Sequence, residues 1–169
     1  MATKKKTEIL LPILNTKTEV FTPLEKLEGK TIKIDLTRML RGKSLEAVFK
    51  IKNKNAELKS LKLLSFYIRR LMRRNISYVE DSFICESKDS KLRVKPFLIT
   101  RKKVHRSVRN ALRIKTKEFM ESFCSRKNSE EIFSEIISAR LQRSLSLTLK
   151  KIYPLALCEI RDIEKLKEE

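Results

Sequence analysis

Few side chains in this sequence could carry out a reaction. Its one histidine, His105, stands alone, so a histidine-dependent triad could be assembled in only one place and a multi-histidine metal site not at all. Cys85, Cys124 and Cys158 are odd in number, far apart and without a C-x-x-C pair. They read as small buried hydrophobes in a reducing compartment, not as a disulfide framework or zinc site. Glu80 and Asp81 are adjacent on a predicted strand and point to opposite faces, which disfavours a shared catalytic ion. With only Gly29 and Gly42, neither a dinucleotide fingerprint nor a phosphate-cradling loop can be built. No enzymatic activity, cofactor, metal or small-molecule substrate is expected.

What the chain has in quantity is cations. Its 169 residues hold 40 Lys and Arg against 21 Asp and Glu, a formal net charge of +19. Residues 91–117 contain eleven basic and no acidic side chains, whereas residues 118–169 hold nine and ten. A chain made basic only for solubility would mix its signs, because like charges three or four apart on a helix repel. Contact with a polyphosphate offsets that repulsion by releasing condensed counterions. The arginines Arg73, Arg74, Arg93, Arg101, Arg106, Arg109 and Arg113, interleaved with lysines, suit bidentate phosphate contacts and stacking on unpaired bases. No zinc-finger spacing, heptad-linked basic region or helix-turn-helix is visible. A membrane surface is disfavoured, since the basic helix turns its apolar face to the core. RNA recognised by shape and backbone is the expected ligand. A free-standing RNA or DNA chaperone, or another free-standing nucleic-acid-binding protein, is the alternative.

The elements that must position these cations follow from periodicity. Residues 1–30 read as an extended basic arm, with Lys4, Lys5 and Lys6 as RNA contacts and Pro23 and Gly29 as breakers; residues 31–169 read as a single α+β RNA-binding domain. The short apolar stretch after the lysines contains Pro12 and no cleavage site follows, so export is rejected and a cytoplasmic location is expected. Ile32, Ile34 and Leu36 alternate as a strand, and after a turn at Arg41–Lys43 so do Leu45, Ala47, Phe49 and Ile51. Leu61, Leu64, Ile68, Leu71 and Met72 predict a helix over 61–74, with Arg69, Arg70, Arg73 and Arg74 in its last turns. A hairpin of 76–86 and 92–100 follows, with Pro96 expected at an edge or bulge.

A helix over 102–123 turns Val104, Val108, Ala111, Leu112 and Phe119 inward and Lys102, Arg106, Arg109, Arg113 and Lys117 outward, with Lys103 beside them and His105 on the rim. The next helix begins at Asn128, capped with Glu131, and buries Ile132, Phe133, Ile136, Ile137 and Leu141. Residues 144–152 fit helix or strand equally. Residues 155–163 form the last strand. Tyr67, Tyr78 and Tyr153 read as core aromatics with their hydroxyls at the edge, more than as bases' stacking partners.

The strings Leu71-Met72-Arg73-Arg74-Asn75-Ile76-Ser77, Leu92-Arg93-Val94-Lys95-Pro96-Phe97-Leu98-Ile99-Thr100 and Ile152-Tyr153-Pro154-Leu155 are weak singly. In this order and spacing they resemble the archaeal and eukaryotic small-subunit ribosomal protein family called eS-one, S-three-a-e in older nomenclature. The similarity covers roughly residues 19 to 167, including Leu27-Glu28-Gly29-Lys30. Asp89-Ser90 stands where the family often has Asp-Gly, and the chain is shorter at both ends than its eukaryotic relatives, as expected of an archaeal form. The resemblance implies an α+β core with an antiparallel, partly barrel-like sheet packed with about three helices. It further implies small-subunit rRNA as ligand, a position on the platform near the mRNA exit, and a neighbour of the S-eleven type. Arg73, Arg74, Arg93 and Lys95 match basic positions of the family strings.

Overall fold

The computed structural model describes residues 7–11, 16–20, 29–40, 43–52 and 55–166. In chain order the elements are β1 (Thr7–Leu11), β2 (Thr16–Val20), β3 (Thr31–Asp35), β4 (Leu45–Lys52), β5 (Asn55–Leu63), α1 (Ser65–Leu71), β6 (Tyr78–Glu80) and β7 (Phe83–Glu86). They continue with β8 (Lys91–Thr100), α2 (Arg106–Cys124), α3 (Ser129–Ile137), α4 (Arg140–Leu149) and β9 (Leu155–Lys165).

Seven strands make an antiparallel sheet in which β3 pairs β4, β4 pairs β5, β5 pairs β9 and β9 pairs β8; β6 and β7 share the far edge of β8. β1 and β2 form a hairpin that joins β5 through one parallel pairing, Leu10 opposite Asn55. Within the first thirty residues, 7–11 and 16–20 are these two strands, and most of the expected arm lies outside the described residues. The expected meander is present, with Ile32 opposite Phe49 and Ile34 opposite Ala47. The sheet is open, contrary to the partly barrel-like form that the resemblance implied: among the described residues β3 does not pair with β6 or β7.

The predicted helix over 61–74 is wrong in its first part. Residues 55–63 are a strand, and only Ser65–Leu71 are helical. Leu61 and Leu64, which open the helical period, lie on β5 and at the N-cap of α1, so their three-residue spacing spans a strand-to-helix junction. Just before it, β5 carries a bulge: Val48 lies opposite Ser60 and Phe49 opposite Leu58, so Lys59 is the extra residue.

Pro96 sits at a bulge, as expected. The register against β9 shifts between Lys95 and Pro96, and on the other side Pro96 faces the gap between β6 and β7, where a missing N–H breaks no ladder bond. Among the described residues there are four helices instead of about three. The ambiguous 144–152 segment belongs mostly to α4, whose Leu141, Leu145 and Leu149 recur every four residues and are fully buried. α3 opens with the expected capping box of Asn128 and Glu131. It ends before Ala139, which adopts a left-handed φ of 58°; the buried Gln142 amide donates to the Ile136 carbonyl at 3.0 Å and holds the corner. α2, α3 and α4 pack on the sheet through β5, β6, β7 and β9, enclosing the core. α1 stays outside that layer and buries no residue fully.

Candidate nucleic-acid interface

Thr100, at the end of β8, is completely buried although polar. Its Oγ1 accepts the Ser77 backbone N–H at 3.1 Å and lies 2.9 Å from the Ser77 carbonyl and 2.7 Å from the Lys102 carbonyl, to which its hydroxyl donates. The Ser77 hydroxyl in turn accepts the Val104 N–H at 3.2 Å. Two hydroxyls thus staple the segment after α1, which carries exposed Arg73 and Arg74, beside the segment before α2, which carries exposed Arg101, Lys102 and Lys103. Two cation clusters far apart in sequence become neighbours.

The basic helix starts later than expected. His105 is its N-cap residue, so Lys102 and Lys103 precede the helix, and His105 meets the helix through its backbone carbonyl, which accepts the Arg109 N–H at 3.2 Å. Arg106 and Arg113 are exposed and Arg109 is half-buried. With Ser107 and Asn110 they line a concavity of about 480 Å³. The Arg109 Nε is buried and has no hydrogen-bond partner among the described residues. A buried donor without a partner costs roughly 1–3 kcal/mol. The first turn of α2 has no acidic residue, and the helix dipole is positive at this end. Three guanidiniums thus line one concavity near the positive end of α2, an arrangement that suits an anion.

Other predicted contacts lie elsewhere. Arg69 and Arg70 are exposed on α1, and Arg93 is exposed on β8. Lys95, directly opposite Asp162, donates to it at 2.9 Å, so its charge is compensated within the sheet. Lys117 is exposed at the far end of the basic stripe and faces Glu121 at 3.8 Å. Lys4, Lys5, Lys6, Arg41 and Gly42 are outside the described residues. The staple of Ser77 and Thr100 escaped sequence reasoning; its only signal was that the first two family strings end on those two residues.

Glu80 binds Arg161 at 2.8 Å, while Asp81 accepts the N–H of Ser82 in the turn between β6 and β7. The three cysteines are free and buried. Cys85 and Cys124 meet in the core, where the hydrogen bond between them and then burial push the Cys85 thiol up. Burial, with Glu159 nearby, pushes Cys158 up to about 12. Such thiols stay protonated and inert at neutral pH. Among the described residues no group of three or more His, Cys, Asp or Glu side chains could hold a metal ion.

The model of the Ribosomal S3Ae family matches residues 15–169. The chain belongs to that family. Similar proteins include one from Nanoarchaeum equitans, 25% identical over 139 residues that make up 77% of this chain and 70% of the relative. One from Methanothermobacter thermautotrophicus is 33% identical over 103 residues, 60% of this chain and 53% of the relative. One from Saccharolobus islandicus is 33% identical over 102 residues, 60% and 49%. Each is named small ribosomal subunit protein eS1, and the latter two matches span about half the relative's length. The S3Ae family is one of ribosomal proteins, not of enzymes. No helix among the described residues of this S3Ae member is long and apolar enough to cross a membrane.

Replacing Thr100 with Val keeps shape but leaves the Ser77 N–H without its acceptor. A loss of about 1–3 kcal/mol of stability is expected. RNA affinity should fall as well, because Arg73 and Arg74 are no longer held beside Arg101. Thermal melting together with RNA titration of the folded variant checks both parts; unchanged affinity would separate the staple from the interface.

Proposed function

We propose that this chain is a structural constituent of the small ribosomal subunit that binds its rRNA without performing chemistry. The observation that carries this reading is the concavity of Arg106, Arg109 and Arg113 at the positive end of α2, with a buried guanidinium N–H still unpartnered. Charge of one sign along residues 91–117 is costly in the free protein and is relieved by a phosphate backbone. In this reading residues 31–169 are the RNA-binding domain, and Lys4, Lys5 and Lys6 of the first thirty residues add further phosphate contacts. The family resemblance supports a position on the platform near the mRNA exit, beside a protein of the S-eleven type.

The test is RNA affinity as a function of salt, paired with cosedimentation. Each neutralised phosphate adds about −0.9 to the log–log salt slope on a duplex and about −0.7 on a single strand, so several contacts give a steep slope. The protein should also travel with small subunits through a high-salt gradient. A nearly flat affinity between low and moderate salt removes the proposal.

A further inference from the structure

α1 is short, fully outside the helical layer and unusual in composition. Its inner side is Tyr67, Ile68 and Leu71, all half-buried. Its outer side is Phe66, Arg69 and Arg70, three residues at positions i, i+3 and i+4 that share one face of a helix. Phe66 is 53% exposed, an apolar ring left in water. Arg69 and Arg70 are exposed beside it, and Arg73 and Arg74 follow within one turn's length of chain. None of these four arginines has an ion-pair partner among the described residues. Tyr78 on β6 is 52% exposed, which corrects the expectation that it is a core residue; Tyr67 is half-buried against the core as expected, and Tyr153 is half-buried.

We infer that the outer face of α1 is a stacking platform for unpaired nucleotides of RNA, with Phe66 holding a base and Arg69 and Arg70 holding the phosphates on either side of it. This rests on the RNA-binding reading proposed above, and adds to it a second mode of contact. The concavity on α2 takes backbone phosphate and has no ring to offer a base. The α1 face joins an exposed ring to guanidiniums, the combination that binds single strands with little sequence preference. A protein partner would meet the same ring, but it would need to supply carboxylates for four clustered arginines, whereas a nucleotide brings a π face and a negative charge together. A paired base has its faces occupied by its neighbours in the stack, so the ring is of use only to an unpaired one.

The sequence contains no tryptophan. Phe66→Trp therefore introduces a single tryptophan, excited selectively over the tyrosines, at the proposed platform, and Phe66→Ala removes the ring. Both changes are at an exposed position, and matching melting curves confirm that the fold is intact. The full chain is titrated with a labelled unstructured 12-nucleotide oligouridine and with a blunt 16-base-pair RNA duplex. Phe66→Ala should weaken oligouridine binding by about 5- to 100-fold and change duplex binding by no more than about twofold. Phe66→Trp should bind the oligouridine as the parent does, with its emission quenched on saturation. Unchanged oligouridine affinity in Phe66→Ala, or unquenched emission in Phe66→Trp, overturns the platform and leaves the phosphate site on α2 standing. An equal loss on both RNAs also overturns it, since the face would then not distinguish paired from unpaired strands. Normal RNA binding by Phe66→Ala combined with exclusion from small subunits would make the face a protein contact. Failure of the parent chain to bind either RNA defeats this inference and the proposed function together.

Discussion

Changing Arg106, Arg109 and Arg113 together to Gln lowers RNA affinity by roughly two orders of magnitude near 0.1 M salt and makes the salt slope shallower by about 2 to 3, the contribution of three phosphate contacts. The fold survives. Gln keeps helix propensity and an unbranched polar side chain, and the change removes two like-charge pairs, Arg106 with Arg109 and Arg109 with Arg113, each costing about 0.2–0.5 kcal/mol. It also takes a cation from the positive end of α2 and removes the unpartnered Arg109 Nε. The melting temperature should hold or rise slightly. Should the variant melt early and bind RNA normally, the arginines belong to an internal network and the RNA surface lies on Arg69–Arg74.

Leu112→Ala has the opposite signature. Leu112 is fully buried on the inner side of α2, one turn from Thr116 and two from Met120, both also buried. Truncating a leucine in such a site costs about 2–5 kcal/mol, the transfer term plus the cavity left behind. For a chain of this size that lowers the melting temperature by about 4 to 20 °C. RNA affinity measured well below the transition should be that of the parent, because Leu112 lies among core side chains and none of the exposed cations moves. Measuring stability and affinity on both variants side by side separates folding from binding; loss of affinity in folded Leu112→Ala would couple the two.

Much of this was legible beforehand wherever one face of an element meets the core and the other meets water. β4 alternates Leu45, Ala47, Phe49 and Ile51 inward, and the box of Asn128 and Glu131 starts a helix on local chemistry alone. Errors arose where a non-local contact sets the pattern. Leu61 pairs with Ala47 of β4 and Ile163 of β9, and without those partner strands its three-residue spacing to Leu64 reads as helix. In α2 the fully buried positions are Leu112, Thr116, Met120 and Cys124, a stripe rotated from the expected one. Thr116 hides its polarity by donating its hydroxyl to the Leu112 carbonyl at 2.6 Å. Charge was readable as composition, but its arrangement was not: nothing local says that Lys95 faces Asp162, or that Ser77 and Thr100 bring Arg73 alongside Arg101.

The stripe in α2 begins only at Leu112; before it, Val108 and Ala111 are half-buried and Arg106 is exposed. The helix is thus gripped deeply over its last thirteen residues and shallowly over its first six, where Val108 still packs on the core and Arg109 is half-buried. The two halves answer to different selection: hydrophobic volume governs the deep one, and charge weighs more on the shallow one. Descendants of such a sequence have latitude to trade, add or drop cations at the exposed positions of these first turns, tracking drift in the nucleic acid they meet, while the deep half stays constrained by the sheet.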